Sequence, residues 1–510
     1  MNLGEKCVFL ETRTYKDSLI NQKVVKYPEK NLWIQQILIM DSLICCYSKF
    51  CGITKISFKN TFMKKLFGTD GIRAEAGTFP LDEKTIAIIG DSLARQFGEK
   101  LGRQPRFITG RDTRESGAWI ENAFCRGATS SGADCESAEV ITTPGVAFLT
   151  KKFDFDAGIV ISASHNPFQD NGIKIFLPTG EKIDEAIERE IEKDVFESRE
   201  SKVERSESEV DSKQSADFQD AYLNYLADEF KTLSLENFKI VMDCANGAAS
   251  NLAPNLFQRF GAFIRAINCQ PDGRNINENC GSLHLEKLQK KVLEENADFG
   301  VAFDGDADRS LFVDEKGSLV DGDAVLWIMA NHLNSQGKLN NQTVVATVMS
   351  NIGLEVALDK QNIKLLRTAV GDKYVLQKLI ETNSAVGGEQ SGHIIFPHQS
   401  LVGDGMFTAL RLLEALSENG KSLSQMTAGF TQFPQILVNV KVREKIPFEE
   451  VAEIAENARK IENELGTQGR LLLRYSGTEN LARVMIEGEN QTEIEAQANY
   501  LAEIIRKIFS

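Results

Sequence analysis

Short apolar, β-branched runs that end in a polar loop and lead into a helix-period segment recur along this chain. No other feature limits its fold as much. Phe107-Ile108 runs into Gly110-Arg-Asp-Thr-Arg114 and then a helix over Trp119–Ala128. Lys239–Asp243 runs into Asn246-Gly247 and a helix reaching Phe260. Thr343–Val348 runs into Ser350–Gly353 and another helix. A strand that hands over to a helix packs that helix against its own sheet, so the pattern predicts three successive α/β domains. Thr85–Leu101 adds a helix with Ile86, Ile89, Leu93 and Phe97 on one face.

From about Gln435 the pattern changes. Strands over Ile436–Val442, Leu471–Leu473 and Arg483–Ile486 accompany helices over Phe448–Leu465 and Thr492–Ile508, a smaller α+β domain. Glu181–Phe196 reads as a charged amphipathic helix. Glu197–Asp217, dense in Ser, Glu, Lys and Arg, reads as an exposed linker or the extended end of that helix. The expected domains are 63–218, 219–317, 318–432 and 433–510, within the roughly three to five that the chain length suggests.

Residues 1–62 stand apart. They hold four of the nine cysteines, and nine Lys and Arg against five Asp and Glu, in a chain of net charge −15. They lack the order of basic start, apolar core and small-residue cleavage site that a signal peptide needs. The expectation is that Met63 is the native start and that the preceding residues are a start-site artefact or a loosely docked appendage. Asn31–Phe50 is the nearest approach to a membrane span, but Gln35, Gln36, Asp41 and Lys49 interrupt it. The negative net charge argues against nucleic acid or an anionic membrane as main partner. The cysteines form no C-x-x-C, so a zinc site or disulfide framework is not suggested, and a reducing, cytoplasmic compartment is expected.

Four loops carry chemistry. Ile159-Val160-Ile161 reads as a buried strand, and Ser162–Asn166 before Pro167 as a stiff, exposed loop presenting Ser164 and His165. A fixed serine hydroxyl suits a nucleophile, with a plain polar turn as the alternative. No G-x-S-x-G surrounds Ser164, so an α/β-hydrolase elbow is disfavoured. The strand Phe299–Phe303 precedes Asp304-Gly-Asp-Ala-Asp-Arg309, whose alternating carboxylates repel one another unless a hard cation such as Mg2+ or Ca2+ lies between them. An EF-hand loop needs Gly at its sixth position, where Arg309 stands, which leaves a solvated acidic turn as the rival. In Gly387–His393, glycines let backbone approach a ligand, and Glu389 and Ser391 can bond sugar hydroxyls. In Arg474-Tyr-Ser-Gly-Thr-Glu-Asn480, Arg, Ser and Thr around one Gly make an anion cradle, to which Arg483 adds a second fork. Together the four loops imply phosphoryl transfer through Ser164.

Ser-Ala-Ser-His-Asn-Pro, Asp-Gly-Asp-Ala-Asp-Arg, Gly-Glu-Gln-Ser-Gly-His and Arg-Tyr-Ser-Gly-Thr-Glu-Asn, in this order, resemble the motifs of the α-D-phosphohexomutases. Phe67–Arg73 and Pro271–Ser282 add to the resemblance, which covers Met63 to the C-terminus. It implies three related α/β domains around a central cleft and a C-terminal domain resembling the TATA-binding-protein fold. It implies interconversion of glucosamine 6-phosphate and glucosamine 1-phosphate through a bisphosphate, feeding UDP-N-acetylglucosamine and cell-wall synthesis. By motif, Ser164 is the phosphoserine. Asp304, Asp306 and Asp308 hold one Mg2+ with an oxygen of phosphorylated Ser164. Arg73, His165, Lys174 and Arg309 line the transfer site. Glu389, Ser391 and His393 meet the sugar, and Arg474, Ser476, Gly477, Thr478 and Arg483 hold the phosphate that is not reacting. The expected partners are small molecules, a hexosamine phosphate and its bisphosphate, without nucleic acid or membrane; a homodimer stays open.

Two departures touch no catalytic motif. Lys373 stands in Gly371-Asp-Lys-Tyr374 where an arginine is expected, and Leu401-Val402 precede Gly403-Asp404-Gly405 where relatives often have threonines. The competing functions are a glucose- or mannose-phosphate mutase on the same scaffold, a hydrolase that passes the phosphoryl group to water, and a non-catalytic sugar-phosphate binder.

Overall fold

The structure, a computed structural model, describes residues 65–68, 70–197, 210–476 and 479–509. The expectation for residues 1–62 lies outside the described residues.

The apolar run Ala157–Ile161 is buried at every position, as a strand covered on both faces must be. It pairs in parallel with Arg106–Arg111, which pairs in parallel with Asp134–Val140. On its other side Asp170–Phe176 runs antiparallel, followed by Ile72–Glu75 at the edge. The second sheet repeats this plan. Phe299–Phe303 is its central strand, with Lys239–Asp243 and Phe263–Ile267 parallel on one side and Ser310–Asp314 and Leu319–Val320 antiparallel on the other. The third is a shortened copy: Lys364–Thr368, Thr343–Thr347 and Gly387–Gly388 are parallel, and Ile394–Ile395 turns back. The Ser164, Asp304 and Glu389 loops therefore leave the equivalent strand of three sheets, each just before the antiparallel return. The fourth sheet, Gln435–Lys441, Leu481–Gly488 and Gly469–Tyr475, is wholly antiparallel and carries the helices Ala452–Leu465 and Gln491–Phe509.

Three local expectations are corrected. The helix expected from Glu181 begins at Glu185, because Lys182 instead bridges to Phe176 and turns its ammonium inward to Asp70 and Asp372. The segment expected to be exposed linker through Asp217 is ordered in its last part. Asp211 pairs with Glu136, and a helix starts at Ser215 to bury Phe218 and Tyr222. The helix expected from Phe448 is a short 3-10 turn followed by Ala452–Leu465.

One buried cluster runs through all three α/β units, with Ile108 and Phe155 from the first, Phe257 and Phe303 from the second, and Phe407 and Leu410 from the third. The C-terminal unit has its own core around Val440, Ile454, Ile486 and Leu501. Its joint to the third unit is polar. Glu487, fully buried, pairs with Arg470 at 2.8 Å and accepts the Ile352 N–H at 3.1 Å. The Asn351 amide bonds both the N–H and the C=O of Phe433, and Arg470 donates to the Ser350 carbonyl. Removing one partner of a buried ion pair costs about 3 kcal/mol, because the other is left uncompensated. Glu487→Ala is therefore expected to lower the thermal midpoint and to speed protease cleavage between residues 430 and 434. An unchanged midpoint and cleavage rate would show that the joint does not depend on this pair.

Candidate active site

Ser164 sits in the left-handed backbone region at φ 54°, a conformation that persists only when neighbours impose it. They do. Its N–H donates to Ser162 Oγ (2.9 Å), whose hydroxyl donates to Asp112 (2.6 Å). Asp112 is ion-paired to Arg114 at 2.9 Å with both side chains buried. The Arg114 guanidinium donates to the carbonyls of Ser164 (3.0 Å), Asn166 (2.8 Å) and Pro167, and Asn277 Nδ2 donates to the first two again. The loop is as stiff as expected but not exposed: Ser164 is fully buried, with its hydroxyl on Asp304. Gly305 permits this, since a Cβ there would sit 2.4 Å from the Ser164 carbonyl oxygen.

The three aspartates offer carboxylate oxygens within 4.8 Å of one another, all buried. Lys174 Nζ lies 2.9 Å from Asp306 Oδ2, 3.2 Å from Asp308 Oδ2 and 3.1 Å from Asp70. Thr143 Oγ1 donates to the same Asp306 oxygen at 2.5 Å. Oδ1 of Asp306 and Oδ1 of Asp308 are buried without any hydrogen-bond partner. Buried carboxylate oxygens left orphaned are costly, and an oxygen-seeking cation would satisfy them, so these residues fit a hard metal. Burial, then the negative charges of Asp308 and Asp306, push the Asp304 carboxyl well above the usual range when no cation is bound. Burial would raise Asp308 too, but Lys174 and then His393 hold it well below.

His165 Nδ1 lies 3.2 Å from Ser164 Oγ and 3.3 Å from Arg309. Burial, then the cations Arg309 and Arg73, lower its pKa to about 4, so the imidazole is neutral near pH 7. Arg309 and Arg73 each keep a buried Nε without a hydrogen-bond acceptor, while Arg309 Nε lies 3.8 Å from Asp308 and Arg73 pairs with Asp70. Both arginines, Asp308, Glu389 and His393 line one cavity of about 340 Å3, together with Gly371 and Asp372. Glu389 accepts the Gly371 N–H at 3.1 Å, and Ser391 leans on Glu389 at 3.3 Å. Burial opposes charge on His393 and Asp308 favours it, with a net upward shift. The Gly403 N–H lies 3.2 Å from His393 Nε2.

The C-terminal cradle forms a separate group. Arg474 and Arg483 face each other across paired strands, and Arg483 reaches Ser476 Oγ at 3.5 Å. Burial, then the charge of Arg483, lowers the Arg474 pKa. Gly477 and Thr478 lie outside the described residues. None of the cradle residues lines the 340 Å3 cavity. Neither departure enters it: Lys373 points to Glu185 (3.6 Å), and Leu401 and Val402 line another cavity with Phe148 and Tyr222. Sequence reading missed Asp70, Thr143, Lys182, Asn277 and Asp372, and saw Arg114 only as the end of a strand. Asp70, Arg114, Asn277 and Asp372 stood in quoted stretches without a role of their own, Lys182 stood in the expected helix, and Thr143 carried no local signal.

Phosphoglucomutase/phosphomannomutase α/β/α domains I, II and III match residues 64–202, 220–317 and 321–433, and the C-terminal domain of that family matches 437–504. The chain belongs to this family, the α-D-phosphohexomutases, and is an enzyme of the isomerase class that moves a phosphoryl group. Among curated proteins it is similar to ones named phosphoglucosamine mutase. That of Solibacter usitatus is 48% identical over 87% of this chain and 99% of its own, and that of Caldicellulosiruptor saccharolyticus 46% over 88% and 100%. Among solved structures, a phosphoglucomutase/phosphomannomutase family protein from Burkholderia thailandensis shares the fold (TM-score 0.70, 23% identity, 86% of this chain and 97% of that one). So does an Aspergillus fumigatus N-acetylphosphoglucosamine mutase in complex with GlcNAc-6P and magnesium (TM-score 0.60, 18% identity, 88% and 96%). Among the described residues no helix is long and apolar enough to cross a membrane.

A side chain at position 305 would displace the serine loop or the aspartate loop. A displacement near 1 Å at a reacting group costs on the order of 100-fold in rate. Gly305→Ala is expected to lower turnover by about that factor while the protein stays folded by circular dichroism. Wild-type turnover would refute the tight approach.

Proposed function

We propose that the chain interconverts glucosamine 6-phosphate and glucosamine 1-phosphate through phosphorylated Ser164 and glucosamine 1,6-bisphosphate. The observation that carries this is Ser164 Oγ, held on Asp304 of the carboxylate triad with His165 Nδ1 beside it. In the forward half, the O1 hydroxyl of glucosamine 6-phosphate attacks phosphoserine. The bond from phosphorus to Ser164 Oγ breaks, the bond to O1 forms, and the hydroxyl proton passes by way of His165 Nδ1 to Ser164 Oγ. The bisphosphate turns, the 6-phosphoryl group returns to Ser164, and glucosamine 1-phosphate leaves. Arg309 and Arg73, which line the cavity, offset charge on the moving phosphoryl group. Glu389 and Ser391 hold sugar hydroxyls, while Arg474, Ser476 and Arg483 grip the other phosphate. Asp304, Asp306 and Asp308 would hold one Mg2+, which when bound withdraws charge from the phosphoryl oxygens. The choice of glucosamine over glucose or mannose rests on the names of the curated relatives.

A coupled assay with glucosamine, N-acetylglucosamine, glucose and mannose phosphates tests the reading. Glucosamine phosphate is expected to turn over fastest, without net release of inorganic phosphate. Preference for glucose or mannose phosphate would replace the substrate, and stoichiometric phosphate release would replace the mutase with a hydrolase. Ser164→Ala is expected to abolish turnover and leave the fold intact. A phosphopeptide map that places the group on Ser162 would move the assignment.

Arg474→Lys keeps the charge but loses the planar two-donor fork. The weakened cradle is expected to let bisphosphate escape more often per turnover, read as free glucosamine 1,6-bisphosphate by chromatography. Equal escape from wild type and variant would count against a phosphate-gripping role.

A further inference from the structure

We propose that Lys174 is a positioning residue for the metal carboxylates, holding Asp306 and Asp308 so that one oxygen of each is turned free toward the cation. The inference rests on the metal role proposed above. Its ammonium takes Oδ2 of Asp306 at 2.9 Å and Oδ2 of Asp308 at 3.2 Å, and it is 1% exposed. The oxygen left over on each carboxylate, Oδ1, is buried and accepts no hydrogen bond, although Asp308 Oδ1 has the Arg309 Nε 3.8 Å away. One donor therefore orders two carboxylates in the same sense. Thr143 repeats that sense on Asp306, donating to the same Oδ2 at 2.5 Å. Asp304 is settled by other means, with Oδ1 on the Arg309 N–H and Oδ2 on Ser164.

Lys174 is itself fixed from behind. Asp70 meets Nζ at 3.1 Å and also takes Lys182, which pairs with Asp372 at 2.6 Å. The ammonium thus cannot follow either aspartate if it swings, and this makes it a template for both. Its strand neighbour explains the placement. Lys174 pairs in register with Val160 on the central strand that ends in the serine loop. Its side chain therefore rises beside that loop into the second unit's aspartates.

This arrangement sets two effects against each other. A fixed positive charge a few ångströms from a cation site repels the cation, so deleting it should tighten metal binding if charge alone mattered. Partners that orient metal ligands from outside typically contribute about 10- to 100-fold in affinity. The sign of the change therefore separates the roles. Mn2+ serves as the probe, since it favours the same oxygen ligands as Mg2+. Its binding to the purified full-length chain is read from the electron paramagnetic resonance signal of free Mn2+, without sugar.

Lys174→Met is expected to weaken Mn2+ binding about tenfold or more in spite of the lost positive charge. Lys174→Arg, whose fork can still span two carboxylates, is expected to recover most of it. Thr143→Val changes no charge and should weaken binding in the same direction. If Lys174→Met does not fold, Lys174→Gln, a neutral side chain that still carries a donor, takes its place and should also bind more weakly. Binding as tight as wild type, or tighter, in either neutral variant would overturn the positioning role while leaving the metal site intact. Absence of Mn2+ binding to wild type would instead overturn the metal reading and this inference with it.

Discussion

The Ser164 carbonyl oxygen is the contact on which the site depends. It accepts from Arg114 at 3.0 Å and Asn277 at 2.9 Å, and Gly305 lies against it with no room for a side chain. Arg114 belongs to the first α/β unit, and Asn277 and Gly305 to the second. One acceptor thus joins the nucleophile's loop to the aspartate loop and sets the distance between serine hydroxyl and carboxylate triad. A carbonyl with two good donors is fully satisfied, which lets it be buried at a boundary between units. The strained φ of Ser164 is held by this same set of bonds rather than by the loop's own sequence.

Around that contact the chain uses one loop position three times. The strand that precedes an antiparallel return ends in Ser164 in the first unit, in Asp304 in the second and in Glu389 in the third. Open α/β sheets bind ligands beyond the carboxyl ends of their strands, and the aspartate and Glu389 loops line one cavity while the buried Ser164 loop bonds to the aspartate loop. Further pieces interlock in the same way. A Cβ at Gly322 would meet the Glu389 carbonyl at 2.0 Å, and one at Gly405 would meet the Arg309 carbonyl at 2.6 Å. Helices of the third unit therefore begin against the sugar loop and the aspartate loop, and the loops are fixed by packing from outside the cavity as well as by their own bonds.

Much of this was legible in the sequence, for physical reasons. Strands buried on both faces are continuous apolar runs, and Ile159–Ile161 and Phe299–Phe303 declare themselves that way. The chemical loops declare themselves by what would be unfavourable without a ligand, namely three alternating carboxylates, or arginine and serine around glycine. What stayed hidden depends on distance in sequence. Asn277 serves a serine 113 residues away and Thr143 an aspartate 163 residues away. Thr143 has no local pattern, and Asn277, although inside the quoted Pro271–Ser282, is an ordinary loop residue whose partner that stretch does not show. Lys182 was taken into a helix because its neighbours are charged, and only the buried pair Asp70 and Asp372 explains why the helix starts later. The threefold loop was missed because the repeats share topology and burial, while their polar residues have diverged into three different tasks.

The C-terminal unit follows a different logic. The three α/β units share one apolar cluster, whereas the fourth has its own core and meets the third through the joint of Glu487, Arg470, Asn351 and Ile352. Units with separate cores and a polar interface are free to move relative to one another unless that interface is large and apolar. Position along one strand pair then divides two tasks. Arg470 faces Glu487 at one end, an opposite-charge pair that is complete within the protein. Arg474 faces Arg483 in the same ladder, a like-charge pair of which Arg483 also meets Glu479 at 3.6 Å. The first pair fastens the unit, and under the proposed function the second would meet the phosphate that is not reacting. An intermediate that must turn end for end needs a rigid place for transfer and a grip that can release. The first three units supply the rigid place through their shared core, and the fourth can supply the grip because it is not part of that core.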